Sequence, residues 1–270
     1  MDDLISTEQL QAALDDPDLR VIDATAFLPD AGRDARAEHE AGHVPGAVFL
    51  DLSEFADVPG AEAFTARMRT LGLNRSDRIV VYDDSPLHSA ARAWWLLRMF
   101  GAEQVRLLDG GLAKWKAERR ALDTCSDAPP TGDFTAQADD IMLARLADVL
   151  TPGDAEIVDA RSAPRFSGDE PEPRPGIAPG HMPRARNLPQ GKLFAADGTW
   201  KRDDALRAAF VAAGVDLDKP MITTCGSGVT AAVLSFGAHL LGKTDVRLYD
   251  GSWAEWGADA TTPKVLGAVS

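Results

Sequence analysis

The chain carries one domain written twice. Arg20-Val-Ile-Asp-Ala-Thr25 returns as Glu156-Ile-Val-Asp-Ala-Arg161, and Gly42-His-Val-Pro-Gly-Ala47 returns as Gly180-His-Met-Pro-Arg-Ala185. Val105-Arg-Leu-Leu-Asp-Gly-Gly111 returns as Val246-Arg-Leu-Tyr-Asp-Gly-Ser252, in each case with a tryptophan following closely, Trp115 and Trp256. The order is kept, and the repeated unit is far longer than a solenoid repeat, so the 270 residues read as two whole domains in tandem. We expect residues 1–122 to form the first, 123–137 a linker and 138–270 the second. The linker rests on Asp123-Thr-Cys-Ser-Asp-Ala-Pro-Pro-Thr-Gly-Asp133, which is rich in turn residues and free of periodic apolar positions.

In both copies short apolar runs precede longer amphipathic ones: Arg78-Ile-Val-Val-Tyr82 before Ala90 to Leu97, and Met221-Ile-Thr-Thr224 before Val229 to Leu241. Strand–loop–helix order predicts an α/β class, with each domain a mainly parallel sheet flanked by helices. In such sheets ligands sit beyond the carboxyl ends of the strands, which directs attention to the loop after Thr224. The stretch Ser167-Gly-Asp-Glu-Pro-Glu-Pro-Arg-Pro-Gly176 cannot be helix or central strand, because its prolines lack the N–H that either ladder needs.

That loop is Cys225-Gly-Ser-Gly-Val-Thr230. Two glycines let successive amides converge on the sulfur, and with the positive end of the following helix they favour a thiolate over the thiol. A cysteine that merely fills space has no use for Gly-Ser-Gly after it, so Cys225 is read as a nucleophile. Cys125, in the linker, has no such surroundings and reads as an incidental exposed thiol. A reducing compartment disfavours a disulfide between the two.

The balance of 28 basic against 42 acidic residues, a net charge of −14, argues against nucleic acid and anionic membrane partners. No stretch has the roughly 20 apolar residues of a membrane span, and Met-Asp-Asp-Leu does not open a secretory signal, so we expect a cytoplasmic protein. An anionic substrate would need arginines of its own. Arg161 could point into a pocket or pair with Asp159, and pairing is the simpler reading.

The tandem repeat, the loop Cys225-Gly-Ser-Gly-Val-Thr-Ala231 and the segment Asp250-Gly-Ser-Trp-Ala-Glu-Trp256 resemble the rhodanese-type sulfurtransferases over nearly the whole chain. The resemblance implies sulfur transfer through a Cys225 persulfide, with no metal and no organic cofactor. Cys-Gly-Ser-Gly-Val-Thr is similar to the loop of members that take 3-mercaptopyruvate, whereas thiosulfate-using members typically carry Arg-Lys where Gly226 and Ser227 stand. Thiosulfate is a compact dianion that gains from fixed positive charge in the loop, and Gly226-Ser227 supplies none. The resemblance further implies that Arg165 and Arg174 hold the donor, that Gly226, Gly228, Val229 and Thr230 line the site, and that Ser227, His43 and Asp34 relay protons.

Other readings stand beside these. Arg165 and Arg174 could be solvated surface charges. His43, matched by His181 in the other copy, is more simply a turn element of the shared fold. The expected acceptor is thioredoxin, a low-molecular-weight thiol or cyanide. A thiosulfate sulfurtransferase is the nearest alternative, and a non-catalytic sulfur-relay or binding module is a second. A cysteine phosphatase of the same fold would need a longer loop ending in arginine, and Ala231 stands there instead. Aligning the strands puts Asp83 or Asp84 in place of Cys225 in the first copy, so that copy should be catalytically silent.

Overall fold

A computed structural model describes residues 3–124 and 128–267, and divides into two compact units, residues 1–139 with 196–199 and residues 140–195 with 200–270. Cys125 lies outside the described residues.

The first unit holds strands β1 (Leu4–Ile5), β2 (Leu19–Asp23), β3 (Val48–Phe49), β4 (Arg78–Tyr82) and β5 (Val105–Leu108), all parallel, in the order β1-β5-β4-β2-β3. The second repeats it with β6 (Leu143–Ala144), β7 (Glu156–Asp159), β8 (Arg186–Asn187), β9 (Met221–Thr224) and β10 (Val246–Tyr249), in the order β6-β10-β9-β7-β8. Each sheet is therefore a five-stranded parallel sheet with helices packed on it, the α/β arrangement expected. A parallel sheet covered on both faces reads as a continuous apolar run, and four of the five β4 residues, Ile79 through Tyr82, are buried.

The helices after the central strands are buried on nearly every side. Ala90–Met99 buries nine of its ten residues, and Ala231–Leu240 buries its first eight, with Gly237 admitting Leu193 where a Cβ would stand 2.7 Å from its Cδ1. The two buried threonines of β9 do not stay unpaired: Thr224 Oγ1 donates to Ser252 Oγ at 3.4 Å, and the Thr223 and Ser235 hydroxyls lie 2.8 Å apart, so strand and following helix are tied by a buried hydrogen bond. This matters for function because the loop between them carries Cys225.

The described part of the expected linker differs from the expectation. Phe134 is fully buried, edge-on to Phe64 at 6.0 Å, and the backbone of this stretch bonds to the first unit through Gly132 N–H to Arg69 O and Gln137 N–H to Phe100 O. Turn-rich composition forecast irregular structure, which holds. One aromatic side chain is enough to dock such a segment, since burying it yields about 2–3 kcal/mol. Both copies also close alike: His43 and Asp123 exchange backbone hydrogen bonds in the first, His181 and Val265 in the second.

Candidate active site

Cys225 follows β9 directly and is buried. Its carbonyl accepts from Trp253 N–H at 2.9 Å, and Gly226 O accepts from Ala254 N–H at 2.9 Å, so the turn after β10 clamps the start of the loop. The converging amides expected from the sequence do not meet the sulfur: among the described residues the only donor to it is the Ser252 hydroxyl. The N–H groups of Cys225 and Gly228 both donate to the Ser252 hydroxyl at 3.1 Å, and that hydroxyl donates to Tyr249 O at 2.8 Å with the Cys225 sulfur 4.0 Å away. Among the described residues nothing accepts from the N–H groups of Gly226, Ser227 or Val229. The loop thus divides its donors: two organise it through Ser252, and the four others, those of Gly226, Ser227, Val229 and Thr230, have no acceptor among the described residues.

Ser252 is a site residue that the sequence reading passed over. It is fully buried at φ +50, a left-handed conformation that costs a non-glycine residue of order 1 kcal/mol and persists where surroundings fix it. The first unit has Gly111 at the matching place, φ +56, where a Cβ would stand 2.5 Å from Asp83 O. The signal was one of the two mismatches in an otherwise echoed motif, beside Leu108 for Tyr249: glycine where the copy lacks a cysteine, serine where it has one.

Arg165 and the loop are brought together. An added Cβ on Gly226 would stand 2.9 Å from Arg165 Nη2, so glycine is what lets the guanidinium lie against the loop. Its Nη2 donates to Glu172 Oε2 at 2.5 Å, while its Nε is buried without an acceptor among the described residues. A buried unsatisfied guanidinium donor is costly unless a ligand fills it. Arg174, two residues past Glu172, is exposed. Gly226, Ser227, Val229 and Thr230 are partly buried, and Gly228 is buried at φ +80, a conformation glycine adopts without strain.

Arg161 pairs as the simpler reading expected. Its side chain is fully buried: Nη2 and Nε bind Asp159, Nη1 reaches Glu172 Oε1 at 2.8 Å, and the guanidinium lies 4.4 Å from the Trp253 ring centroid. Burial alone would depress its pKa, but Asp159 and then Glu172 more than offset this and raise it. Arg161 is therefore a permanent buried cation that supports Trp253, whose amide in turn holds Cys225.

His43 and Asp34 take structural contacts within the first unit. Asp34 caps the helix Ala35–Ala41 through Ala37 N–H. His43 is buried, stacked on His39 at 4.0 Å with its Nδ1 2.7 Å from His39 O, and His39 in turn meets Asp23 at 2.9 Å. His181 repeats the arrangement, stacking on Phe166 at 3.8 Å with Nδ1 bound to Phe166 O. The same histidine doing the same packing in both copies is the fold-element reading.

Register decides between Asp83 and Asp84. Tyr82 pairs with Asp23 as Thr224 pairs with Asp159, and Leu112 N–H bonds Asp83 O as Trp253 N–H bonds Cys225 O, so Asp83 occupies the cysteine's place. Its carboxyl is pushed up to about 7 by burial, against the pull of the Ala90 and Ser85 amides. Unfolded aspartate ionises near pH 4, so folding becomes less favourable as pH rises from about 4 to 7. Asp83→Asn should therefore gain in melting temperature relative to the parent between pH 5 and pH 8, by up to about 2 kcal/mol of stability. Parallel pH profiles of the two proteins would contradict this.

No group of three or more His, Cys, Asp or Glu among the described residues could hold a metal ion, and no helix there is long and apolar enough to cross a membrane. Residues 6–118 and 142–259 each match the Rhodanese-like domain model. The 3-mercaptopyruvate sulfurtransferase of Escherichia coli (strain K12) is 41% identical over 271 residues, covering 96% of either chain. That of Homo sapiens is 41% identical over 270 residues, covering 94% of this chain and 91% of the human one. The crystal structure of SseA from Escherichia coli superposes with a TM-score of 0.85 at 38% identity, covering 94% of this chain and 99% of that one.

Proposed function

Because the chain belongs to the rhodanese-like sulfurtransferases as a tandem of two such domains, we propose that it takes sulfur from 3-mercaptopyruvate onto Cys225 and passes it to a thiol or to cyanide. The observation that carries the choice of donor is Arg165 lying against Gly226 with a buried N–H unsatisfied. A donor whose carboxylate lies some atoms from its sulfur is served by an arginine beside a neutral loop; a guanidinium gives such a carboxylate directional hydrogen bonds.

In the first half-reaction the Cys225 thiolate attacks the donor sulfur. The S–S bond forms as the sulfur–carbon bond breaks, its electron pair leaves on carbon as the pyruvate enolate, and a proton completes pyruvate. The N–H groups of Gly226, Ser227 and Val229 take the charge of the terminal persulfide sulfur, with Gly228 and Thr230 shaping the loop around it. In the second half an acceptor thiolate attacks the outer sulfur and the Cys225 thiolate is the leaving group. Reduced thioredoxin or a small thiol in a cytoplasmic setting fits this step. Arg174, exposed on the loop beyond Glu172, is the second arginine for the donor carboxylate. Ser227 is the proton-carrying candidate within the loop, while His43 and Asp34 serve the fold. Residues 1–122 serve as the silent domain and 138–270 as the working one.

The test is to measure turnover with 3-mercaptopyruvate and with thiosulfate under one set of conditions. The expected result is a kcat/KM at least about tenfold higher for 3-mercaptopyruvate, the ratio that a difference of 1.4 kcal/mol in transition-state binding gives. Preference for thiosulfate would overturn the choice of donor and leave the sulfurtransferase reading intact.

A further inference from the structure

One carboxylate bridges the two guanidiniums beside the cysteine loop. Glu172 Oε1 meets Arg161 Nη1 at 2.8 Å and its Oε2 meets Arg165 Nη2 at 2.5 Å, with the Glu172 side chain only 5% exposed. Arg161 already has Asp159 at 2.7 Å. Asp159, Glu172, Arg161 and Arg165 together sum to zero charge, so the guanidinium nearest the loop is cancelled before any donor arrives. Glu172 also fixes where that guanidinium lies, because Arg165 is tethered through Nη2 while its buried Nε is left for another partner.

We propose that Glu172 is the residue that sets donor specificity, positioning Arg165 over Gly226 and cancelling its charge so that the site takes a monoanionic α-keto acid thiol and discriminates against a compact dianion. The inference rests on the donor assignment above and deepens it. The physics is a difference in charge dependence. Coulomb energy scales with the ligand's charge, so a cancelled arginine withholds twice as much from a dianion as from a monoanion. Directional hydrogen bonds from a pinned guanidinium survive the cancellation, and they favour the donor whose carboxylate can meet them. Glu172 touches neither donor nor sulfur in this account; it acts through Arg165.

Glu172→Gln keeps size and a hydrogen-bonding side chain while leaving one net positive charge beside the loop. Its kcat/KM for thiosulfate relative to 3-mercaptopyruvate should rise by about tenfold or more, through a KM that falls further for thiosulfate than for 3-mercaptopyruvate, and the thiosulfate reaction should become more sensitive to salt. The shift should vanish in Arg165→Gln/Glu172→Gln, where no charge is released. Glu172→Asp, which preserves the charge, should keep the parent's donor ratio within about twofold even if both KM values rise, and it stands in if the glutamine variant does not fold. Equal losses with both donors in Glu172→Gln would make Glu172 purely structural and overturn the inference, as would a shift toward thiosulfate in Glu172→Asp. A parent enzyme that prefers thiosulfate is a separate outcome: it overturns the donor assignment on which the inference rests, whatever the variants do.

Discussion

Cys225→Ser should lower turnover with any sulfur donor at least about a thousandfold and should abolish the sulfur-loaded protein altogether. A serine hydroxyl is not ionised at neutral pH and cannot hold a transferable sulfur, so neither half-reaction has a substitute. The change is one atom in a buried position clamped through its backbone by Trp253, so folding should barely register it. Intact mass after incubation with 3-mercaptopyruvate provides the measurement: the parent gains one sulfur atom, the variant none, and Cys125→Ser behaves as the parent. A sulfur retained by Cys225→Ser and lost in Cys125→Ser would transfer the chemistry to the other cysteine and end the present reading.

The second large effect is on stability. Arg161→Met should destabilise the second unit by about 3–5 kcal/mol, the usual result of removing one partner from a buried ion pair. Asp159 and Glu172 would both be left as buried carboxylates, and methionine cannot satisfy them. A fall in melting temperature of about 10 °C or more is expected, measured by calorimetry on the full chain. The loss should shrink at acid pH, where protonation relieves the orphaned carboxylates. Activity should fall with it even where the protein is folded, because Arg161 supports the Trp253 ring and the Trp253 amide bonds the Cys225 carbonyl. A variant as stable as the parent at neutral pH would show that the buried network contributes no net stability.

The sequence alone was enough for the duplication, the α/β class and the nucleophile. Each depends on local pattern: echoed motifs, apolar runs ahead of amphipathic ones, and a cysteine followed by Gly-Ser-Gly. It also supported the pairing of Arg161 with Asp159, since two residues apart at a strand end they have few other places to go. What it could not reach was how donors are shared. The expectation that the loop amides all face the sulfur missed that two of them bind Ser252, a residue 27 positions away in the chain. Glu172 was likewise hidden, an acid between Glu170 and Arg174 in a proline-rich stretch whose composition says only that it is irregular.

Phe134 illustrates the same division within the expected linker, where no periodic pattern marks a single aromatic that docks. Local backbone preference and side-chain periodicity are encoded in neighbouring residues, so they can be read along the chain. Which hydrogen-bond donor meets which acceptor, and which charge cancels which, is settled by parallel strand pairing that carries the loops after β7, β9 and β10 to one end of the sheet, and only the folded structure makes those encounters.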